Sequence, residues 1–355
     1  MKRLHDNLYC QLLAAALAFA AVGCENDLPR ASNIENLRVL GGLVQVVGDE
    51  ARSTPKPGEK ARLSWSMAYP DADADDSHLA SVFFTCTAPQ QFSGVPLCQE
   101  LIDIAKGGSI SAVLDAAMNE EQPDCGKNPD RTYKLGPFTV VCVTGTPRLD
   151  VPIPKDSKGN KLVRGIICQN GTPHFDAQNP TGMSCDGADE FISVYGTVPV
   201  QYEEADANLN PNIDAASMQF HDPPVPWLPV AEDVAAELND ETCLDEAKAK
   251  HVMHTDGHEE QITLRYEAEQ REERNGKPET LQFAVYTTFG KVSQRFVIFS
   301  PTTELPLKRS FKWELNEDER KELNDKSKHV RFFFVVTDGR GGYALTTRDL
   351  CVNRR

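Results

Sequence analysis

Along the last third of the chain apolar residues recur at every second position, and that period admits little but β-structure. Ile262, Leu264 and Tyr266 alternate with Thr263, Arg265 and Glu267. Leu281, Phe283 and Val285 repeat the pattern, and so do Val292, Phe296 and Ile298, with Gln294 as the polar exception. Successive side chains of a strand point to opposite faces, so such alternation marks strands with one face buried. Val330–Val336 (VRFFFVV) is nearly continuous in apolar residues and predicts a central strand. Asp338-Gly339-Arg340-Gly341-Gly342 predicts a tight turn, because glycine supplies the positive φ a hairpin needs, and Tyr343–Val352 is the returning strand. Asn316 with Glu319 has the spacing of a helix capping box. Short strands separated by turns predict a sandwich of roughly 95 residues.

The same signal occurs earlier. Leu63, Trp65 and Met67 alternate with polar neighbours after a Pro57-Gly58 turn, Val82-Phe83-Phe84 begins another strand, and Val194, Val198, Val200 and Tyr202 suit a closing strand. Residues 88–190 read differently. With Cys86 they hold six cysteines, many turn residues and one helical pattern at Ile110, Val113, Leu114 and Ala117, with Ser109 as N-cap. Strand-like runs also occur at Phe138–Val143 and Leu162–Cys168. This predicts a disulfide-rich insertion, with short helices, inside an N-terminal sandwich spanning 37–204. Prolines 211, 223, 224, 226 and 229 predict an extended linker over 205–242, followed by a C-terminal sandwich over 243–355.

The N-terminus fixes the expected compartment. Met1-Lys2-Arg3 is basic, and Leu12–Val22 is an apolar run too short to span a bilayer but suited to a secretory signal. Gly23-Cys24 follows directly, then Glu25-Asn26-Asp27. Small residues before a cysteine at this place resemble a bacterial lipobox, which implies cleavage after residue 23, diacylglycerol on the Cys24 sulfur and a tether over 24–36. Glu25 rather than Asp at the second mature position favours the outer membrane by the enterobacterial sorting rule. In an exported chain the remaining cysteines, Cys86, Cys98, Cys125, Cys142, Cys168, Cys185, Cys243 and Cys351, read as disulfides. Eight allow about a hundred pairings. Joining sequence neighbours gives Cys86–Cys98, Cys125–Cys142, Cys168–Cys185 and a long closure Cys243–Cys351. No C-x-x-C pair occurs, which argues against a zinc knuckle.

Charge narrows the partners. Thirty-seven basic residues stand against 53 acidic ones, a net of −16, which excludes a nucleic-acid partner that needs a basic face. An acidic body also predicts that the acyl chains alone hold the protein on anionic lipid.

The stretches LRVLGGLVQVV (37–47) and PKPGEKARLSWSMAYPD (55–71), the NLNPN run at 208–212, LQFAVYTTFGKV (281–292) and VRFFFVVTDGRGGYALTTRDLCV (330–352) together resemble envelope lipoproteins abundant in myxobacteria and related bacteria. The resemblance covers about 200 residues and omits 88–190. It implies a mainly β protein with two immunoglobulin-like β-sandwich domains, and it brings no catalytic residues.

Two clusters carry candidate metal chemistry. His251, His254 and His258 lie close together beside Asp256, Glu259 and Glu260, and imidazoles with carboxylates at short spacing bind zinc or copper. Asp71, Asp73 and Asp75 begin like a calcium loop, but the glycine and glutamate such a loop needs are replaced by Asp76 and Val82. Both are more simply read as solvated loops, so the expectation is no metal and no cofactor. Gly107-Gly108-Ser109-Ile110-Ser111 lacks the last glycine of a nucleophile elbow. Trp65, Trp227 and Trp313 are expected to be core or linker-packing residues, with Trp227, among prolines, alternatively a contact residue. The leading expectation is a lipid-anchored, non-enzymatic binding or scaffolding protein of the envelope, partnered by membrane and by an envelope protein or glycan. The rivals are a ligand receptor or hydrolase with its pocket in 88–190, and a subunit of an envelope secretion or motility complex.

Overall fold

A computed structural model describes residues 32–353 except 73, 90–97, 107–122, 136–137, 177–181, 221–224, 231–236, 245–252 and 324–326. The helix expected around Ile110–Ala117, the signal segment, Cys24, Asp73 and His251 lie outside the described residues.

The first set of strands comprises β1 (Arg38–Val46), β2 (Lys60–Ala68), β3 (Leu79–Thr87), β4 (Thr132–Leu135), β5 (Phe138–Thr144), β6 (Arg148–Pro152), β7 (Lys161–Gln169), β8 (Thr172–Phe175), β9 (Met183–Asp186) and β10 (Glu190–Val198), with α1 (Gln99–Lys106) between β3 and β4. They form a sheet in the order β1-β2-β6 facing one in the order β10-β7-β3-β5-β4. Alternation produces the core: β2 turns Leu63, Trp65 and Met67 inward, where they meet Phe83, Val163, Ile167 and Val194 from the facing sheet. Trp65 stacks on Phe83 with ring centroids 4.5 Å apart. Gly165 of β7 lies directly under that ring. A Cβ there would sit 2.2 Å from Phe83 Cδ1, so only glycine fits.

β7 is buried on both faces. Its outward residues Ile166 and Cys168 lie beneath a cap built from Cys125, Tyr133, Cys142 and Met183 of the β8–β9 hairpin region. Three disulfides secure this cap and its flank: Cys86–Cys98, Cys125–Cys142 and Cys168–Cys185. The 88–190 region is therefore not an insertion as a whole. β5, β6 and β7 are structural strands of the sandwich, and only α1 and the β8–β9 hairpin are additions. Cysteine and turn density obscured the strands in the sequence, because a strand covered on both faces shows little alternation.

The second set comprises β11 (Ala216–Phe220), β12 (Val225–Pro226), β13 (Met253–Thr255), β14 (Glu260–Tyr266), a small hairpin β15 (Glu273–Arg274) and β16 (Lys277–Pro278), β17 (Leu281–Thr287), β18 (Lys291–Val292), β19 (Phe296–Phe299), β20 (Leu307–Glu314), α2 (Glu317–Glu322), β21 (Ser327–Thr337) and β22 (Tyr343–Asn353). The order β12-β11-β14-β20-β18 faces β13-β22-β21-β17-β19, with β13 running parallel to β22. Phe220, Trp227, Phe283, Phe311, Trp313, Phe332 and Phe334 fill the space between. Cys243–Cys351 ties the segment before β13 to β22. Asn316 and Glu319 cap α2 reciprocally, at 2.7 and 2.8 Å.

Both sets follow one chain path. β1-β2-β6 against β10-β7-β3-β5, and β11-β14-β20 against β22-β21-β17-β19, each trace an A-B-E sheet facing a G-F-C-C′ sheet, the immunoglobulin-like connectivity. The fold is mainly β with two such sandwiches.

Two boundaries differ from the sequence reading. The 205–242 stretch is not a linker, since β11 and β12 within it are strands of the second sandwich. Pro226 is tolerated there because β12 is an edge strand, where a missing N–H breaks no ladder. Trp227 is a buried core residue, as its packing reading expects and its contact alternative does not, and its indole Nε1 donates to the Asp349 carbonyl at 2.9 Å. The tether expected over 24–36 does not extend through residues 32–34. The Thr287 amide donates to the Ser32 carbonyl and the Ile34 amide to the Thr287 carbonyl, each at 2.9 Å, so residues 32–34 are pinned to the end of β17 with Ile34 buried.

Candidate functional site

The sandwiches meet along the outer face of the second one. Ala284 and Tyr286 of β17, Phe333 and Val335 of β21, and Tyr343 of β22 pack against Ile34, Leu40 and Ala68. The approach is close: a Cβ on Gly41 would stand 2.2 Å from Tyr343 Cε2. At one end of this seam the NLNPN run meets the Asp338–Gly342 turn. The Asn208 amide Nδ2 donates to Ser53 Oγ at 2.9 Å and to Asp338 Oδ2 at 2.6 Å. Asp338 Oδ1 accepts the amides of Arg340 and Gly342 at 2.7 and 2.9 Å. Arg340 Nη2 donates to the Ala207 carbonyl at 2.9 Å. Asn210 accepts the Tyr343 amide at 3.1 Å and donates to the Val44 carbonyl at 2.9 Å. Gly341 has φ +104°, and a Cβ there would meet Pro199 at 2.9 Å. Two motifs about 130 residues apart thus form one buried polar joint, in which the Asn208 amide nitrogen and both Asp338 oxygens are partnered while Asn208 Oδ1 is buried without a hydrogen bond.

The other end of the seam opens into a groove. A pocket of about 470 Å³ is lined by Met67, Tyr69, Asp71, Asp75 and Asp76 of the first sandwich and by Arg331 and Phe333 of the second, among others. Neighbouring hollows of about 420 and 250 Å³ share Pro70 with one another and add Asp240, Glu241, Glu322 and Lys328. Six carboxylates therefore line the groove against two basic side chains. Tyr69 donates to Asp76 Oδ1 at 2.8 Å, and burial together with that carboxylate pushes its hydroxyl well above the usual tyrosine range. Hydrogen bonds from the hydroxyl and amide of Ser77 hold the Asp75 carboxyl below its usual range. Lys328 pairs with Asp240 at 3.2 Å.

Arg331 also reaches back into the protein. Its Nε donates to Asp349 Oδ1 at 3.0 Å, the oxygen that lies 2.7 Å from His329 Nε2. Asp349 is almost fully buried. Burial alone would raise its carboxyl, but the His329 hydrogen bond and the Arg331 charge outweigh that and hold it below the ordinary range. The His329 and Asp349 side chains are each only 1% exposed, so this pair braces β21 against β22 and does not face a ligand.

The sequence candidates are scattered. Asp71 and Asp75 sit in the groove, joined by Asp76. His258 is exposed, 3.9 Å from Asp256, while His254 is placed on β13 with its backbone beside Cys351. The grouping of metal-ligand type among the described residues is Cys86, Cys98 and Glu100. Its sulfurs are joined as a disulfide, and both Glu100 oxygens accept the Thr87 amide. Within 88–190, the pocket alternative corresponds to an open hollow of about 600 Å³ beside β5. Its carboxylates are already engaged, Asp130 by Thr144 and Asp150 by Arg62. Sequence reasoning found the NLNPN and Asp-Gly-Arg-Gly-Gly segments singly and missed that they meet. It missed His329, Arg331 and Asp349 altogether, and the one available signal was charged residues recurring inside strands otherwise rich in apolar ones.

No family model and no curated protein matches the chain. Among solved structures it is similar to Escherichia coli alpha-2-macroglobulin activated by porcine elastase (9% identity, 90% of this chain, 22% of that one, TM-score 0.21). It is also similar to the D0-D1 domain of intimin (8% identity, 89% and 98% covered, TM-score 0.18) and to a Salmonella alpha-2-macroglobulin mutant (10% identity, 92% and 17% covered, TM-score 0.20). The chain spans about a fifth of the macroglobulin's length. Similarity at this level carries no argument about activity. Among the described residues no helix is long and apolar enough to cross a membrane.

Proposed function

We propose that this is an exported envelope protein, moored by lipid at Cys24, whose paired sandwiches act without catalysis as a rigid binding or scaffolding module. The observation that carries the reading is the joint. A buried polar lock and a continuous apolar seam fix one sandwich on the other, which suits a part that presents loops and grooves at a set geometry. Four disulfides are the chemistry of an oxidising, extracytoplasmic compartment. Leu12–Val22 followed by Gly23-Cys24 supports export and lipidation, and Glu25 favours the outer membrane. Cys24→Ser tests the mooring: palmitate labelling and membrane fractionation are both expected to disappear, and a variant that still fractionates with bilayers refutes it.

The acidic groove suits a basic segment of an envelope protein better than a neutral glycan. Crosslinking and pull-down from solubilised envelope should recover a partner that the triple variant Asp71→Asn, Asp75→Asn, Asp240→Asn loses. Undiminished capture by that variant removes the groove from the interface.

A further inference from the structure

The face that forms the seam is not wholly covered. Phe296 of β19 lies opposite Ala284, and Ile298 opposite Gln282, on the outer face of the same sheet. β1 and residues 32–34 cover the β17–β21 part of this face. Phe296 and Ile298 remain 42% and 52% exposed at its rim. Basic groups lie along the same edge strand. The Arg295 guanidinium lies 4.6 Å from the Phe296 ring centroid and donates to the Tyr286 hydroxyl at 3.1 Å, and Arg309 reaches β19 from the facing sheet, 6.0 Å from the ring of the core residue Phe299. Residues 291–312 hold five basic side chains and one acid, Glu304, in a chain of net charge −16. Over this stretch of sequence the net charge that argues against electrostatic adhesion is reversed, with Lys312 paired to Glu259 at 2.7 Å.

The chain enters the body beside this rim. Ser32 is bonded to Thr287, three residues along β17 from Ala284, about 10 Å from Phe296 at the strand's rise. Only residues 25–31 separate Cys24 from Ser32, a reach of at most about 28 Å.

We propose that Phe296 and Ile298, with Arg295 beside them and Arg309 at the same edge strand, form a second membrane contact that seats on anionic lipid headgroups. The inference rests on the lipid mooring at Cys24 for its place in the cell. The acyl chains on Cys24 moor the chain at one point, and a second contact at the surface fixes which face of the body meets the bilayer. A short tether entering beside a basic, apolar rim presents that rim to the bilayer and leaves the acidic groove to other partners.

The test is made independent of cellular lipidation. The mature chain is coupled through the Cys24 thiol to maleimide-bearing lipid in vesicles of phosphatidylcholine alone or mixed with phosphatidylglycerol. Hydrogen exchange is then read over residues 295–299. Slower exchange is expected on the mixed vesicles at low salt, by about thirty-fold for two arginines acting at an anionic surface. Arg295→Gln with Arg309→Gln, and separately Phe296→Ser with Ile298→Ser, should abolish the difference, with unchanged melting temperature confirming intact folds. Equal exchange on both vesicle types overturns the proposal. So does protection that appears without vesicles and grows with protein concentration, which means a second copy covers the rim. If palmitate labelling fails while this exchange difference holds, the mooring is refuted and the lipid contact stands.

Discussion

Asn208→Ala should loosen the whole molecule from one buried amide. Asn208 is 1% exposed, and its side chain holds Ser53 Oγ at 2.9 Å and the Asp338 carboxylate at 2.6 Å. Truncation leaves Asp338 Oδ2 without this donor in a site that is itself 7% exposed. A hydrogen bond to a charged group contributes about 1.5–3 kcal/mol and a neutral one about 1 kcal/mol, so the expected loss is about 2.5–4 kcal/mol. At about 2 °C per kcal/mol for a chain of this size the melting temperature should fall by roughly 5–8 °C. The loss should also split the transition. Calorimetry of the parent is expected to show one cooperative unfolding event, because the seam and the joint couple the sandwiches; in the variant the two should separate. Asn208→Asp, which places a second carboxylate beside Asp338, should be worse than alanine. A single transition in Asn208→Ala, within about 1 kcal/mol of the parent, refutes the claim that this network holds the sandwiches together.

Cys243→Ser with Cys351→Ser opens a closure of 108 residues and should cost about 4–5 kcal/mol by loop entropy, read by urea unfolding. Gly165→Val places its Cβ against Phe83 and the Val82 carbonyl and should cost about 3 kcal/mol, read as a lower melting temperature with loss of near-ultraviolet dichroism from the Trp65–Phe83 stack. Asp349 has a folded carboxyl pKa below its unfolded value near 4, so its stabilisation is complete above about pH 4 and is lost as pH falls through the depressed folded value. Asp349→Asn should therefore be less stable than the parent at neutral pH, and the gap should narrow below about pH 4.

How much of this was legible in the sequence depends on the face a residue occupies. Alternation at Leu63, Trp65 and Met67 and at Ile262, Leu264 and Tyr266 marks strands with one wet face, and the structure has strands there. β7 reads KLVRGIICQ, covered on both sides, so its period is lost and the cysteines around it suggested an insertion. The prolines around Pro226 suggested a linker because the sequence does not show that β12 lies at an edge with Trp227 beside it turned inward. Of the joint, the turn glycines were readable from local chemistry. The pairing of Asn208 with Asp338 was not, because contacts across such separations leave no local period. The acidic loop was legible as charge, and its place in a groove was not.

The shared chain path explains why the molecule needs both a cap and a joint. In each sandwich the F strand, β7 in the first and β21 in the second, is buried on both faces. A two-layer sandwich covers only one face of a strand, so each F strand requires a second cover. The first sandwich carries its own, fastened by Cys125–Cys142 and Cys168–Cys185. The second has no such addition among its described residues and uses the first sandwich instead, through Phe333 and Val335 against Leu40 and Ile34. The second sandwich therefore has no finished surface of its own. Expressed alone from residue 213, it would expose Ala284, Tyr286, Phe333, Val335 and Tyr343 together, a contiguous apolar patch of the kind monomers rarely tolerate. It should self-associate in sedimentation velocity, and Phe333→Lys with Val335→Thr should restore a monomer. A fragment that stays monomeric without those changes would show that the seam is dispensable and that the sandwiches are separable modules.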